Sequence, residues 1–399
     1  MTAYQRRLFA FLGVATFFEG YDFMALSQVL PNIRGDFGVG PSVGGWIVAA
    51  AGAGTIVAFG VIRRADRVGR RPMLNLTILG YTACTFLTAL SRSAWDFALF
   101  QFLARVFLIA EWALSMVYAA EEFPAAKRGF VIGMLQGLVA LGSIACAGLA
   151  PILLATPLGW RAVYLAGVPP LLLLAWARRG LRETERFQAE GPRKPVPLTA
   201  ILRGPRRRRV FQLALIWGVT YLCTQTAVVF WKEFAVGDRA WSDARVGGAL
   251  ALASLISLPL VFLFGRFMDV LGRRASATIA YLLLAGGTFA GYTLHGATAL
   301  TVALAAAIFA VSVQPAVLNA WTTELFPTSQ RADAFAWANN LLGRIGYVIA
   351  PIGVGYLAEH IGWGGAVRGT AVFAVLALAL ILWLLPETAG RELEETAAA

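Results

Sequence analysis

Long apolar runs alternate with polar connections along the whole chain, and charged residues, glycines or prolines mark their ends. A helix of about 20 apolar residues crosses the hydrocarbon layer of a bilayer. Runs of roughly this length or more lie at residues 8–30, 43–62, 73–91, 95–120, 129–155, 160–178, 210–231, 246–267, 275–295, 298–324, 334–358 and 366–385. The pattern therefore predicts an all-α integral membrane protein with twelve transmembrane helices.

One connection, residues 180–209, is much longer than the others and separates the first six runs from the last six. We therefore expect an N-terminal six-helix bundle over residues 1–179, a basic cytoplasmic linker over 180–209, and a C-terminal six-helix bundle with a short cytoplasmic tail over 210–399. The first run is not a cleavable signal peptide, because Glu19 and Asp22 interrupt it and further runs follow.

The composition supports a membrane protein. Hydrophobic residues make up 58% of the 399 positions and charged residues 14%, whereas soluble domains are about half apolar and about one quarter charged. The three cysteines lie in apolar runs and give no disulfide framework. The sequence shows no phosphate-binding Gly-Lys-Ser/Thr loop, no metal-ligand cluster and no nucleophile–base constellation. We therefore expect no enzyme, no ATP-driven pump, and no metal or other cofactor.

The positive charge is unevenly distributed. Of the 34 Lys and Arg residues, 25 fall in the termini and in the connections that share their side of the membrane. Because Lys and Arg concentrate in cytoplasmic loops, both termini are predicted to be cytoplasmic, in a multi-pass protein of the cell (inner or plasma) membrane. The run Arg206 to Arg209 is interpreted as an anchor against anionic membrane lipid, and a nucleic-acid patch is the less favoured alternative.

The two halves of the chain repeat each other. The segment 66–71, Asp-Arg-Val-Gly-Arg-Arg, recurs 203 residues later at 269–274 as Asp-Val-Leu-Gly-Arg-Arg. The same offset relates Glu121 to Glu324, Arg128 to Arg331, and the Gly-Trp pair at 159–160 to that at 362–363. Each half is therefore one copy of a six-helix unit. Paired repeats of this kind are typical of secondary transporters, whose substrate site lies near the midplane between the halves.

These motifs resemble the major facilitator superfamily over essentially the full length of the chain. Residues 265–274 are similar to the family's signature between the second and third helices of each half. The segments 19–22, Glu-Gly-Tyr-Asp, and 386–395 resemble motifs of its aromatic-acid:proton symporters and sugar porters. The resemblance implies two pseudo-symmetric bundles that transport a small molecule by alternating access. We expect a monomer.

Charged residues inside spans are costly and usually face a cavity or a partner. At about 1.5 Å of rise per residue, Asp22 lies about 21 Å and Arg105 about 22 Å from the predicted cytoplasmic end. This match predicts an Asp22–Arg105 ion pair, either as the proton carrier or as a purely structural pair. In sugar-porter relatives the aspartate of this motif pairs with an arginine whose position corresponds here to Gln101, one turn away. Glu19 and Glu111 are further proton-coupling candidates.

Arg344 lies in the segment Gly-Arg-Ile-Gly, where organic-anion members of the superfamily also carry a cation. A guanidinium in a dry cavity binds a carboxylate with two hydrogen bonds. Arg344 is therefore the candidate substrate ligand; the alternative is that it only neutralises Glu19 or Glu111.

Polar residues inside spans also match across the repeat. The offset pairs Asp22 with Gln225, Glu111 with Gln314, and Gln136 with Asn339. We expect these positions to line one cavity, with the acids handling the proton. The substrate would be held by Arg344, Gln225, Gln314, Asn339, Asn340 and Gln136. Aromatic walls would come from Tyr21, Tyr118, Trp217, Tyr221 and Tyr347, although packing in the core or at the lipid interface is the alternative for each of them.

Repeated charges at the predicted cytoplasmic helix ends form a candidate gate. Its members are Asp66, Arg67, Arg71, Glu121 and Arg128 in the first half, and Asp269, Arg273, Glu324 and Arg331 in the second. In resembling transporters such charges hold the cytoplasmic side shut. The alternative, that arginine-rich loops only set the topology, accounts for Arg70 and Arg274 but not for the repeated acids.

The sequence therefore predicts a secondary transporter that moves a small organic anion with protons. A sugar or polyol:proton symporter, and an exporter of amphipathic organic cations, are the alternatives within transport. A membrane sensor on a transporter scaffold is the alternative outside it.

Overall fold

The computed structural model describes residues 2–184, 188, 199–327 and 330–389, and the secondary structure of this part of the chain is helical. The first half contains α1 (Ala3–Phe37), α2 (Pro41–Val68), α3 (Arg70–Ala89), α4 (Ala94–Glu122), α5 (Ala125–Leu154), α6 (Trp160–Leu165), α7 (Val168–Ala177) and a 3₁₀ turn (Arg178–Gly180). The second half contains α8 (Ala200–Arg203), α9 (Arg207–Val229), α10 (Trp231–Gly237), α11 (Asp243–Leu271), α12 (Arg273–Gly291), α13 (Ala297–Glu324), α14 (Arg331–Phe335), a π-helix (Ala336–Gly343), α15 (Arg344–Gly369) and α16 (Ala371–Leu384).

The twelve predicted spans are confirmed as helical segments. Within the described residues, nine helical stretches are long and apolar enough to cross a membrane, and the last of them, Arg331–Leu384, has 54 residues. That length is enough for two crossings, and α3 and α12 supply the remaining two. The two spans of the last stretch are separated inside α15 at Gly362, whose φ of 72° breaks the helix.

Three predicted spans are interrupted in the structure, and in one of them, 366–385, α15 ends at Gly369 and α16 begins at Ala371. The run 160–178 forms α6 and α7, because Pro169 and Pro170 lack the N–H groups that would continue α6 and instead occupy the first turn of α7. The run 210–231 is broken at Phe230, because α9 ends at Val229 and α10 begins at Trp231.

Contacts divide the chain into two units, residues 1–39 with 50–195, and residues 40–49 with 196–399. In the first unit α1 packs along α5, and α3 along α4. In the second, α9 packs along α15 and the π-helix, and α13 packs against both α11 and α12. We call the end at which α3 or α12 begins the arginine-rich end of its unit, after Arg70 and Arg71 or Arg273 and Arg274.

Glycines allow the closest helix contacts. A Cβ atom on Gly142 of α5 would lie 1.9 Å from the carbonyl oxygen of Phe17 on α1. A Cβ atom on Gly20 would lie 1.8 Å from the carbonyl oxygen of Val139. Small residues at such crossings let helices in a membrane gain packing contacts at short range. The α1–α5 pair therefore depends on these two positions, and this contact positions Asp22, two residues beyond Gly20.

We predict that Gly142→Ala lowers the melting temperature of the detergent-solubilised protein, because the added methyl group must push α1 away from α5 at a cost of about 1–3 kcal/mol. Gly148→Ala in the same helix is the matched control, since nothing lies within 4 Å of its added Cβ. It should leave the melting temperature unchanged or raise it. Equal melting temperatures for the two variants would contradict the proposed role of the close contact.

Candidate functional site

Asp22 and Arg105 form the ion pair predicted from their depths. Nη2 of Arg105 on α4 lies 3.4 Å from Oδ2 of Asp22 on α1, and the two side chains are 8% and 2% exposed. Tyr81 on α3 lies within hydrogen-bonding reach of the same carboxylate. Gly54 admits the pair, because a Cβ there would lie 3.0 Å from the Cβ of Arg105. The contact is electrostatic and Oδ2 has no hydrogen bond from the described residues, so the pair can open without breaking a directed bond.

A second buried ion pair joins Glu111 to Arg178. The Arg178 guanidinium donates to the Glu111 carboxylate and, at 3.0 Å, to the carbonyl oxygen of Phe11. The Thr77 hydroxyl donates to Glu111 at 2.6 Å. The guanidinium thereby ties α1 and α4 to the end of α7, and the Thr77 hydroxyl ties α3 to the same carboxylate. Glu111 has its counterion inside the first unit, so neutralising it does not require Arg344.

Sequence reasoning missed Arg178, which it counted only among the Lys and Arg residues on the cytoplasmic side. The apolar run of α7 ends immediately before Arg178, and the side chain is fully buried. A long basic side chain at the end of a span can reach along the helix to a charge at a different depth. The position of Arg178 at a span end, on a bundle that contains an unexplained Glu111, was the available signal. Glu19 is half-buried on α1, one turn before Asp22.

In the second unit Arg344 lies among aromatic rings. Its Cζ is 5.5 Å from the ring centroid of Tyr347 and 5.9 Å from that of Tyr221. The two tyrosine rings are 5.2 Å apart in an edge-to-face arrangement, and Trp217 lies 5.4 Å from Tyr221. The Tyr221 hydroxyl donates to Oδ1 of Asn339 at 2.6 Å. We call Trp217, Tyr221, Asn339, Arg344 and Tyr347 the arginine–aromatic cluster.

The local fold of the cluster depends on a π-helix. Residues Ala336–Gly343 are wound as a π-helix between α14 and α15, a geometry that is rare and is found frequently at functional sites. It holds Asn339 and ends just before Arg344. Glycines then bring this segment onto α9: a Cβ on Gly343 would lie 2.7 Å from the Cβ of Trp217, and one on Gly346 would lie 2.1 Å from the carbonyl oxygen of Gly218.

The cluster has donors in excess of acceptors. Among the described residues no carboxylate lies within 4.0 Å of the Arg344 guanidinium. Nε of Arg344 and Nε1 of Trp217 are buried and have no hydrogen-bond acceptor in that part of the chain. Buried donors of this kind are costly unless an acceptor is supplied. An anion with an aromatic or flat apolar body matches the arrangement.

The other predicted substrate residues are distributed more widely. Gln314 donates to the Tyr281 hydroxyl at 3.0 Å, and that hydroxyl is 2.8 Å from the hydroxyl of Thr220 on α9. Gln314 is the residue that the repeat relates to Glu111, so a neutral hydrogen-bonded chain replaces the ion pair of the first unit. Gln225 is buried and Asn340 half-buried, while Gln136 is exposed on α5.

Tyr21 packs inside the first unit. Its hydroxyl donates to the carbonyl oxygen of Val163 on α6 at 2.9 Å. This bond gives Tyr21 a packing role, the alternative raised for it above.

The charges at the arginine-rich end of the first unit converge on Arg70. Its Nη2 lies 3.1 Å from Asp66 and 3.4 Å from Glu121, and the side chain is 5% exposed. Glu183, after the 3₁₀ turn, accepts the backbone N–H groups of Arg70 and Arg71. The assignment of Arg70 to topology alone was therefore incomplete, because its buried side chain bridges two of the predicted gate acids.

The second unit repeats this arrangement around Arg273. Nη2 of Arg273 lies 2.9 Å from Glu324, and Nη1 lies 3.1 Å from Asp269. Glu387 accepts the backbone N–H groups of Arg273 and Arg274, each at 2.9 Å. Burial raises the pKa of Glu387, but the backbone N–H groups of Arg274, Ala389, Arg273 and Thr388 outweigh it, so this pKa lies below the ordinary glutamate value.

At this end of each unit, a glutamate and a threonine follow the last span and bond to neighbouring helices. We call each pair, 183–184 and 387–388, the strap of its unit. Thr184 donates to Glu121 at 2.6 Å, and Thr388 donates to Glu324 at 2.5 Å. The remaining strap bonds are Tyr118 Oη to the carbonyl oxygen of Arg182 at 2.7 Å, and Trp321 Nε1 to that of Pro386 at 2.8 Å. The Glu-Thr pair at 183–184 recurs at 387–388, which is an offset of 204. The offset of 203 that relates the other motifs does not align these two pairs.

Among the described residues, the side chains of three further predicted gate residues, Arg67, Arg71 and Arg331, lie outside these ion pairs. Arg67 is exposed, and Arg71 donates from its side chain to the carbonyl oxygen of Arg179 at 3.3 Å. Arg331 donates to the carbonyl oxygen of Phe326 at 2.9 Å. The Arg128 side chain is outside the described residues.

Comparison with known proteins gives consistent matches along the chain. The family model described as Major Facilitator Superfamily matches residues 12–237 and 213–398. The cis,cis-muconate transport protein of Acinetobacter baylyi is 26% identical, over 92% of this chain and 91% of that protein. The gallate transporter of Pseudomonas putida is 24% identical, over 88% of this chain and 85% of that protein. A crystal structure of a D-xylose-proton symporter has a TM-score of 0.80 at 18% identity, covering 98% of this chain and 100% of the other. These relatives are transporters and not enzymes.

We predict that Glu387→Gln lowers the melting temperature at pH 7, because the carboxylate stabilises the start of α12 by about 0.3–1 kcal/mol more than an amide does. A lowered pKa means that this stabilisation is present above the ordinary glutamate value, about 4.3, and is lost as the pH falls through the lower folded value. The difference from wild type should therefore shrink in acid. A pH-independent deficit for Glu387→Gln would contradict the assignment.

Proposed function

Since the chain belongs to the major facilitator superfamily, we propose that it imports a small organic anion, an aromatic or aliphatic carboxylate, together with protons by alternating access. It resides in the cell membrane as a monomer, and the arginine-rich ends and both termini face the cytoplasm. The observation that carries the proposal is Arg344, a guanidinium held against two tyrosine rings without a carboxylate partner among the described residues.

The chemistry of the cluster favours an anion over the alternatives. A carboxylate accepts two parallel hydrogen bonds from a guanidinium, and the tyrosine and tryptophan rings contact the body of the molecule. A sugar would leave the charge of Arg344 uncompensated. An organic cation would be repelled by it, and Asp22 and Glu111, the acids that would attract a cation, already contact arginines.

The names of the relatives point the same way. Cis,cis-muconate is a dicarboxylate and gallate an aromatic carboxylate, and both relatives align over most of their length. The structural neighbour that transports xylose supports the shared fold and not the substrate. An organic acid is therefore the favoured substrate class.

We assign proton coupling to the Asp22–Arg105 pair. A buried aspartate is stable as a carboxylate only while its cation is near, and it takes up a proton when the cation moves away. The contact of 3.4 Å without a hydrogen bond to Oδ2 is suited to reversible opening. The Glu111–Arg178 pair is held by two additional hydrogen bonds, from Thr77 and to the Phe11 carbonyl oxygen. It is better suited to a structural role, so Asp22 is the carrier and Glu111 the anchor.

The straps provide the proposed cytoplasmic gate. Each exposed ion pair is worth under about 1 kcal/mol, but the acids, the central arginine and the helix N-terminus act as one network in each unit. Such a network can shift an equilibrium between states that differ by a few kcal/mol. Asp66, Arg70, Glu121 and Glu183 form the network in the first unit, and Asp269, Arg273, Glu324 and Glu387 in the second.

The substrate assignment predicts that Arg344→Ala weakens binding of a carboxylate by about 30-fold or more, equivalent to about 2 kcal/mol for a lost charge-assisted hydrogen bond. Uptake of labelled benzoate, xylose and a quaternary ammonium ion into proteoliposomes measures the class of substrate. Arg368→Ala is the matched control, because it removes the same charge from an exposed position in the next span, after the break at Gly362. Saturable, proton-driven uptake of xylose alone would overturn the assignment.

The coupling assignment predicts that Asp22→Asn abolishes accumulation of substrate driven by a proton gradient, because an amide cannot exchange a proton. Exchange of internal for external substrate needs no net proton movement and should continue. Asp36→Asn, near the C-terminal end of α1, is the control. Asp36 and its partner Arg161 have side chains that are 44% and 33% exposed, respectively. Gradient-driven accumulation by Asp22→Asn at the wild-type level would exclude Asp22 as the carrier.

A further inference from the structure

A buried polar face runs between α3 and α4, beyond the Asp22–Arg105 pair. On α3, Tyr81, Thr85 and Thr88 recur at intervals of four and three residues, so they share one side of the helix. On α4, Gln101 lies one turn from Arg105 and donates to the Thr88 hydroxyl at 3.3 Å. All of these side chains are at most 7% exposed. Such a continuous polar stripe is expensive in a membrane bundle and indicates a function.

The stripe reaches from Asp22 to the end of the unit opposite the arginine-rich end. Tyr81 is within reach of both Asp22 and the Thr85 hydroxyl. Beyond Thr88, the Ser91 hydroxyl donates to the Thr88 carbonyl oxygen at 2.8 Å. The Ser91 carbonyl oxygen accepts from Arg161 at 3.3 Å. From Tyr81 to Thr88 the rise along α3 is about 10 Å.

Two polar atoms in the middle of the stripe are not fully satisfied. Oε1 of Gln101 is buried without a hydrogen bond from the described residues, and the Thr85 hydroxyl, which Tyr81 approaches, forms none of ordinary geometry there. Buried polar atoms in native proteins are nearly always satisfied, and water is the usual partner where protein groups do not serve. At Thr85 and Gln101 the stripe therefore has hydrogen-bonding capacity for water, whereas the Thr88 hydroxyl already donates to the Cys84 carbonyl oxygen at 2.8 Å.

We propose that this stripe, with Tyr81, Thr85 and Thr88 on α3, Ser91 just beyond its end and Gln101 on α4, is the route by which protons travel between the arginine-poor end of the first unit and Asp22. The inference rests on the proposed proton coupling at Asp22. Each hydroxyl or water accepts one proton and releases another, and the last transfer turns the Asp22 carboxylate into a neutral carboxyl group. Gln101 cannot relay a proton easily; it is a positioning residue that orients its neighbours.

The titratable groups around Asp22 come from five helices. They are Arg105 on α4, Tyr81 on α3, Tyr164 on α6, Tyr21 on α1, and Cys146 on α5 through Tyr21 and Tyr164. Tyr21 is engaged with a carbonyl oxygen, and Arg105 is the counterion. Tyr81 is the group that joins Asp22 to the α3 stripe, so the route enters the site at Tyr81.

The test uses Thr85→Val and Gln101→Leu in the full-length protein reconstituted in liposomes, with a pH-sensitive dye inside. Both variants should slow substrate-linked proton entry by about tenfold or more and leave substrate exchange at the wild-type rate. Thr82→Val is the matched control, because the Thr82 hydroxyl is equally buried on α3 but donates to the Ile78 carbonyl oxygen of its own helix at 2.7 Å.

The outcomes separate this inference from the proposed function. Wild-type proton entry in the double variant Thr85→Val/Gln101→Leu would overturn the route while leaving Asp22 as the carrier. Loss of exchange together with proton entry would mean that the stripe only packs α3 against α4, and would also overturn the route. Gradient-driven accumulation by Asp22→Asn would refute the coupling itself, whatever the stripe variants do.

Discussion

The structure depends on how arginines are neutralised where water is scarce. An ion taken from water into a bundle needs a partner, and removal of that partner costs several kcal/mol. Arg105 contacts Asp22, and Arg178 contacts Glu111 and the Phe11 carbonyl oxygen. Arg344 is treated differently, since it is half-buried beside two tyrosine rings and no described carboxylate is in contact with it. Two arginines are compensated within the first unit, and in the proposed function a solute compensates the third.

The repeated straps show a second use of the same chemistry. In both units a glutamate after the last span accepts N–H groups at a helix start, and a threonine beside it donates to the acid that holds the central arginine. The macrodipole of α3 or α12 adds to the attraction for that glutamate. The strap therefore joins the end of the last span to the third and fourth spans of its unit. Because these residues share hydrogen-bonding atoms, a substitution at one of them alters the hydrogen bonds of the others.

Much of the fold and part of the site were predictable from the sequence. Apolar length located the spans, and depth along the helices was enough to pair Asp22 with Arg105. Depth did not identify Arg178, because a long flexible side chain places its charge far from its own Cα. Arg70 was undervalued because charge counting treats all arginines in a loop alike, whereas its burial depends on the rotation of α3. The offset of 204 was missed because one inserted residue shifts the strap relative to the rest of the repeat.

The two units have diverged at positions related by the repeat. Where the first unit places Glu111, with Arg178 and Thr77, the second places Gln314, with Tyr281 and Thr220. A neutral amide–hydroxyl chain needs no counterion. The second unit therefore has no carboxylate at this position that could pair with Arg344. Under the proposed function, the amide at this position avoids a carboxylate in the second unit that would compete with an anion for Arg344. At the two repeat-related positions, the acids Asp22 and Glu111 occur in the first unit and the amides Gln225 and Gln314 in the second. The proton is proposed to move in the first unit.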